Sequence, residues 1–155
     1  MSLREELIGE LVIATKSRDR TRLSTIRLLI SDIKNREIDL KRELHDEEVF
    51  QVISSMIRQR RESIEQFKLG YRQDLVEREE EELRILASFL PPQLSQDEVV
   101  DIVKELIKDT GASGMKDMGM VMKEAISKVA GRAEGKTVSD IVREILSAGG
   151  NYEAR

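Results

Sequence analysis

Two adjacent prolines, Pro91 and Pro92, are the only prolines in the 155-residue chain, and they set its clearest boundary. Neither residue has a backbone N–H donor, and Pro92 disfavours the helical conformation at Pro91, so a helix must end near Leu90. Ser95 and Glu98 then form a capping-box pattern, which predicts a new helix from about residue 96 to residue 109. The sequence therefore predicts two domains, residues 1–90 and residues 95–148.

The composition favours helices on both sides of this boundary. With two prolines, nine glycines and 3% aromatic residues, the chain lacks the aromatic enrichment of strands and the helix-breaking prolines of loops. Apolar residues recur at three- and four-residue spacings in four segments before the prolines and in three segments after them. We predict an all-α fold, in which a four-helix N-terminal subdomain precedes a C-terminal three-helix bundle.

Several helix ends are also predicted by local signals. Asp19 is placed to cap the second helix, His45 the third and Thr137 the last, while Gly70 ends the third helix. Only three or four residues join the third and fourth helices, so these two are expected to form a long antiparallel hairpin.

Two charged residues interrupt the apolar stripes of this hairpin. Arg60 lies between Ile57 and Ile64 on the third helix, and Glu79 lies on the stripe of the fourth. A turn at residues 70–72 places the two residues at nearly the same position along the axis of the hairpin. We therefore predict a partly buried Arg60–Glu79 ion pair that fixes the register of the two helices. The alternative, a catalytic Glu79, is less favoured because no second acid, metal ligand or nucleophile accompanies it.

The stretch GRAEGKT, residues 131–137, resembles a phosphate-binding loop at first sight. That motif needs four residues between its glycines and a preceding strand, whereas three residues separate Gly131 from Gly135 and a helical stripe precedes them. Gly131 is expected to close that helix in the left-handed conformation, and Gly135 to permit a second tight turn. The same region presents a set of cations that we predict to point outward and bind RNA phosphates: Lys123, Lys128, Arg132 and Lys136.

The composition limits other chemistry. The chain has no cysteine and a single histidine, so we predict no metal site, no cofactor and no thiol catalysis. A net charge of −4 argues against non-specific nucleic-acid binding over a broad basic face, although a local basic patch remains compatible with it. No apolar stretch is long enough to span a bilayer and no cleavable signal pattern opens the chain, which predicts a cytoplasmic protein that does not bind membranes.

Three longer stretches carry a family resemblance. Residues 118–146, MGMVMKEAISKVAGRAEGKTVSDIVREIL, resemble the tail domain of the B subunit of glutamine-dependent tRNA amidotransferase. Residues 26–39 (IRLLISDIKNREID) and residues 57–95 are similar to the stand-alone proteins of the GatB/YqeY family. Two positions depart from the family pattern: Met120 replaces a lysine and Glu134 an aspartate. The matching positions are Gly119, Val121, Met122, Lys128, Gly131, Arg132, Ala133, Gly135, Lys136, Val138 and Val142.

The resemblance implies an RNA-related function. In the amidotransferase the tail domain contacts the outer body of tRNA, while the chemistry takes place in domains that this chain lacks. The carbon–nitrogen ligase label of the family is therefore inherited, and we expect a non-catalytic module whose partners are tRNA, amidotransferase subunits or other proteins of tRNA aminoacylation. The alternative is a protein–protein adaptor that uses the apolar face of the hairpin or its acidic run EREEEE, residues 77–82, which is otherwise a solvated helix face.

Overall fold

The computed structural model describes residues 2–148, and within them the chain is all-helical. It contains seven α-helices and a single 3-10 turn, Met115–Asp117, which confirms the predicted fold class. The helices are α1 (Leu3–Ser17), α2 (Arg20–Leu40), α3 (Asp46–Leu69), α4 (Gln73–Ala87), α5 (Gln96–Thr110), α6 (Met118–Val129) and α7 (Gly135–Ser147). The chain divides into two compact units between Leu90 and Pro91.

Local capping interactions begin α2, α3 and α5 at the residues that the sequence predicts. Asp19 Oδ1 accepts the backbone N–H of Arg22 at 3.0 Å at the start of α2. His45 is the N-cap of α3, where its backbone N–H donates to Glu48 Oε1 at 3.0 Å. Ser95 and Glu98 exchange two hydrogen bonds of 3.2 Å, which completes the predicted capping box of α5. These interactions satisfy N–H groups that have no partner inside the helix.

The first unit contains α1 to α4, and α3 and α4 form the predicted antiparallel hairpin. Its core lies at one end of the hairpin, where the first half of α3 and the last turn of α4 pack against α1 and α2. The residues of this core are Leu3, Leu7, Leu29, Ile33, Leu44, Val49, Val52, Ile53, Met56, Ile57 and Leu86. Beyond Arg60, toward the α3–α4 turn, the buried side chains among the described residues are those of Ile64 and Val76. The outer half of the hairpin is therefore much more lightly packed.

The second unit contains α5, α6 and α7, each of which packs against the other two. The apolar faces of the three helices meet in one core, formed by Val99, Val100, Val103, Leu106, Val121, Ala125, Val129, Val138, Ile141, Val142, Ile145 and Leu146. Most of these residues are aliphatic and β-branched, so they hold α6 and α7 in defined positions. The GRAEG loop joins these two helices, and its shape therefore depends on how they pack.

Candidate functional site

The loop of residues 130–134 reverses the chain between α6 and α7. Ala130 (φ 44°) and Gly131 (φ 80°) both adopt the left-handed conformation directly after α6. The Ala130 N–H donates to the carbonyl of Ile126 at 3.1 Å, and the Arg132 N–H donates to that of Val129 at 2.9 Å. The predicted left-handed Gly131 is confirmed, as is the helix before it, so the sequence around GRAEGKT has no strand–loop–helix context for a nucleotide.

The start of α7 differs from the sequence prediction. The helix begins at Gly135, with Glu134 as its N-cap in an extended conformation, and the Val138 N–H donates to the carbonyl of Glu134 at 3.1 Å. Thr137 lies inside the first turn, so the prediction that it caps α7 is wrong. Gly135 is a helical residue and forms no second tight turn. The reason is that Ala130 and Gly131 complete the chain reversal. The helix α7 can therefore begin at Gly135, three residues before Val138, where a Thr137 cap would have started it.

Arg132 has a different orientation from the one expected. Its Nε donates to the carbonyl oxygen of Val129 at 3.0 Å, and its Nη2 donates to the carbonyl oxygen of Lys128 at 2.9 Å. The last carbonyls of a helix lack intrahelical partners and form its negative end, so a guanidinium satisfies both their hydrogen bonding and their charge. The guanidinium is thus held against the end of α6 instead of pointing outward.

Two further hydrogen bonds attach this loop to the segment that precedes α5. The side-chain amide Nε2 of Gln93 donates to the carbonyl of Gly131 at 3.0 Å, and the Leu94 N–H donates to the carbonyl of Arg132 at 2.7 Å. These contacts join residues 38 positions apart in both cases, and sequence reasoning missed them. The one available signal was the apolar Leu94 before the Ser95 cap, which indicates packing but identifies no partner.

The three lysines of the predicted site are all exposed, but they do not form one cluster. Lys128 lies in the last turn of α6 and Lys136 in the first turn of α7, so both flank the loop of residues 130–134. Lys123 is five residues before Lys128 on α6, which places the two about 140° apart around the helix. The structure therefore brings Lys128, Arg132 and Lys136 to one end of the second unit and leaves Lys123 apart.

The α3–α4 hairpin of the first unit also carries a polar layer, which consists of Arg60, Arg78, Glu79 and Glu82. Arg60 Nε is 3.5 Å from Glu82 Oε2, and these two side chains are only 12% and 14% exposed. Arg60 Nε donates no hydrogen bond in the described part of the chain, so the contact is electrostatic. Arg78 also approaches Glu82, at 3.7 Å. The ion pair of Arg60 is thus with Glu82, one turn beyond the predicted partner Glu79.

Glu79 nevertheless belongs to the same layer. Burial raises the pKa of its carboxyl group, the negative charge of Glu82 raises it further, and the positive charges of Arg60 and Arg78 oppose this shift. Glu79 and Glu82 are three residues apart and so face α3 together. The arrangement places two carboxylates around one largely buried guanidinium.

Neither unit offers a recognisable metal site or membrane segment within residues 2–148. Among those residues, no three histidine, cysteine, aspartate or glutamate side chains are grouped so that they could hold a metal ion. None of the helices in that range combines the length and apolar character that crossing a bilayer requires.

Comparison with known proteins identifies the family to which the chain is similar. A family model described as Yqey-like protein matches residues 4–146. Three relatives, each named Altered inheritance of mitochondria protein 41, mitochondrial, share part of the chain. The relative from Lachancea thermotolerans is 37% identical over 120 residues, which are 76% of this chain and 63% of that protein. The relative from Pyrenophora tritici-repentis is 29% identical over 145 residues, or 92% of this chain and 80% of that protein.

The third relative, from Saccharomyces cerevisiae, is 30% identical over 135 residues, which are 85% of this chain and 70% of that protein. The chain therefore spans between 63% and 80% of the length of these relatives. All three are named as mitochondrial proteins. These names contradict the cytoplasmic location that the sequence predicts.

Proposed function

The chain belongs to the Yqey-like protein family, and we propose that it acts as a non-catalytic RNA-binding module whose target is tRNA. The observation that carries this proposal is the pair of exposed lysines, Lys128 and Lys136, on either side of the loop of residues 130–134. Two ammonium groups that flank one short loop can contact neighbouring phosphates of a nucleic-acid backbone.

The charges of the helix ends support the use of these lysines. Arg132 compensates the negative end of α6 by binding its last carbonyls, so it leaves the charge of Lys128 available to an external anion. The positive end of α7 lies at the same loop. In this proposal Lys128 and Lys136 contact phosphate, Arg132 positions the loop, and Lys123 lies outside the contact.

The choice of tRNA rests on the resemblance of residues 118–146 to the amidotransferase tail domain. A module of this kind contributes binding and placement, and the ligase label of the family describes chemistry that other domains perform. Amidotransferase subunits and other proteins of tRNA aminoacylation are the corresponding candidate protein partners. The two lysines offer few phosphate contacts, so we expect moderate affinity that depends steeply on salt.

The test is a titration of fluorescently labelled unfractionated tRNA, measured by anisotropy between 50 and 200 mM salt. The double variant Lys128→Ala with Lys136→Ala should weaken binding by about tenfold or more and reduce the salt slope by about 2. The matched control is Lys16→Ala with Lys34→Ala, which removes the same charge from exposed positions of the first unit. Equal affinities for the two double variants would remove the proposal.

The second candidate function, a protein–protein adaptor, is favoured by one observation. The acidic run of residues 77–82 lies on α4, where the exposed side chains of Glu77 and Glu81 stand beside those of Arg78 and Arg84, and such a mixed-charge face suits a protein surface of complementary charge. If the adaptor is the whole function, the anisotropy titration shows no tRNA binding at any of the salt concentrations.

A further inference from the structure

A line of cations runs along one side of α2. We name it the basic ridge, and its members are Arg20, Arg27, Lys34 and Lys41. Each is seven residues from the next, so successive members lie about 10.5 Å apart along the helix and only about 20° apart around it. All of these side chains are exposed, and within residues 2–148 none of them forms an ion pair or a side-chain hydrogen bond. The basic ridge therefore presents uncompensated positive charge, although the whole chain has a net charge of −4.

The acidic residues of α2 do not offset this charge. Glu37 accepts a hydrogen bond from Arg4 Nε at 3.1 Å, and only 11% of its side chain is exposed. Asp32 and Asp39 lie about 160° and about 140° around the helix from Lys34, on the side of α2 away from the basic ridge. The side of α2 that carries the basic ridge is therefore positive along its length.

The acids of α1 and of the segments that flank α2 act elsewhere in the first unit. Asp19 caps α2 by accepting a backbone N–H at 3.0 Å, and Glu10 pairs with an arginine side chain of α2 at 3.0 Å. Glu43 lies 3.9 Å from a guanidinium nitrogen of α1. Glu5 and Glu6 line a groove between α1 and the segment that follows α4, on the other side of α1. These carboxylates leave the charge of the basic ridge available to an external anion.

Exposed aliphatic side chains accompany the basic ridge. Ile38 lies one turn beyond Lys34 on the same side of α2 and is 72% exposed, and Leu28 is 48% exposed. On α1, Ile8 and Val12 are one turn apart and are 41% and 49% exposed. Ile8 borders the basic ridge directly, because it lines one shallow depression together with Lys34. The surface thus combines spaced cations with large apolar side chains.

This combination distinguishes the kind of partner. A nucleic acid meets cations with its phosphates, but it contacts large exposed side chains mainly by stacking bases on aromatic rings, and α1 and α2 contain no aromatic residue. A protein partner anchors in a pocket, whereas the depression beside Lys34 has a volume of only about 10 Å³. A bilayer with anionic headgroups attracts the cations and also accepts aliphatic side chains at its interface.

We propose that the basic ridge and the aliphatic side chains beside it bind the surface of a membrane that contains anionic phospholipids. The cations contact headgroup phosphates, and the aliphatic side chains enter the boundary between headgroups and acyl chains. Such a contact is peripheral and needs no spanning helix, and it differs from the prediction that the chain does not bind membranes. It uses no residue of the second unit, so it stands whether or not the chain binds tRNA.

The test is co-sedimentation of the full chain with phospholipid vesicles, made either of phosphatidylcholine alone or of the same lipid with about 30% phosphatidylserine. The chain should bind the anionic vesicles at least about 30-fold more tightly than the neutral ones. Raising the salt concentration should weaken this binding, because salt screens exposed charges.

The double variant Arg27→Gln with Lys34→Gln should weaken binding to the anionic vesicles by about tenfold or more, since each cation near the surface contributes about fivefold. The matched control is Arg36→Gln with Arg58→Gln, which removes the same charge from exposed positions off the basic ridge. This control should lower the affinity by about threefold at most, because its cations lie farther from the lipid surface.

Ile38→Ser should weaken binding by about fivefold, because an aliphatic side chain no longer enters the interface. Ile13→Ser is its control and should have no effect, since Ile13 lines the groove on the other side of α1 and is 58% exposed. All substituted side chains are exposed, so the variants keep the fold.

Equal binding to neutral and anionic vesicles, equal losses in the two double variants, or an unchanged affinity of Ile38→Ser would each overturn the proposal. A double variant Arg27→Gln with Lys34→Gln that loses affinity for tRNA but not for vesicles would also overturn it, and would assign the basic ridge to nucleic acid.

Discussion

Nη2 of Arg132 donates a 2.9 Å hydrogen bond to the backbone carbonyl oxygen of Lys128. The sequence predicts that both residues bind RNA, but in the structure they have different roles. Arg132 satisfies the carbonyl end of α6, while the Lys128 side chain remains exposed. A variant of Arg132 therefore affects the fold first, and a variant of Lys128 affects the surface.

Arg132→Ala should lower the free energy of unfolding of the second unit by about 1–2 kcal/mol, because two charge-assisted hydrogen bonds to carbonyl oxygens are lost from a half-buried site. Arg132→Lys should recover only part of this, since one ammonium lacks the planar fork that reaches both carbonyls. Urea denaturation followed by circular dichroism measures the change. Lys136→Ala is the control and should stay within about 0.5 kcal/mol of wild type; an equally stable Arg132→Ala would show that the capping bonds contribute nothing.

The partner of Arg60 can be decided by two double-mutant cycles on the hairpin. Coupling between Arg60 and Glu82 should be about 1–2 kcal/mol, because both side chains are largely buried and their charged atoms lie 3.5 Å apart. Coupling between Arg60 and Glu79 should be clearly smaller. The measurement is the unfolding free energy of each single and double variant, with methionine at position 60 and glutamine at the glutamates. A larger coupling for Glu79 would restore the pair that the sequence predicts.

The carboxyl group of Glu79 should make the hairpin more stable at mildly acidic pH than at neutral pH. Burial and the charge of Glu82 raise its folded-state pKa above the unfolded value, so the folded chain binds the proton more tightly. The ionised group therefore costs stability at neutral pH, and that cost disappears as pH falls through the folded pKa toward the unfolded one. Glu79→Gln should raise stability at pH 7 and have little effect at pH 4.

The direction of this pH dependence is tested by the denaturation midpoints of wild type and Glu79→Gln between pH 4 and pH 8. Glu77→Gln is the matched control, because Glu77 is an exposed carboxylate on the same helix. The two curves for wild type and Glu79→Gln should converge on acidification, whereas the Glu77→Gln curve should stay parallel to that of wild type. A Glu79→Gln variant that is less stable than wild type at pH 7 would contradict the raised pKa.

Interactions between residues close in the sequence determine much of the secondary structure of this protein. The all-helical fold, the caps at Asp19 and Ser95, the end of α3 at Gly70 and the left-handed Gly131 each depend on residues within one helical turn of one another. Periodicity and side-chain-to-backbone hydrogen bonds act over that short distance, so the sequence alone predicts their outcome.

The polar contacts between separate segments required the tertiary structure. Glu79 and Glu82 differ by about 4.5 Å along α4, which is less than the reach of an arginine side chain, so the length of the turn could not select between them. The start of α7 and the orientation of Arg132 likewise followed from how α6 and α7 pack and from the bonds of Gln93 and Leu94 to the loop. The sequence thus determined which helices form. The packing of those helices decided which charges bind within the protein and which face solvent, because it sets distances that local rules leave open.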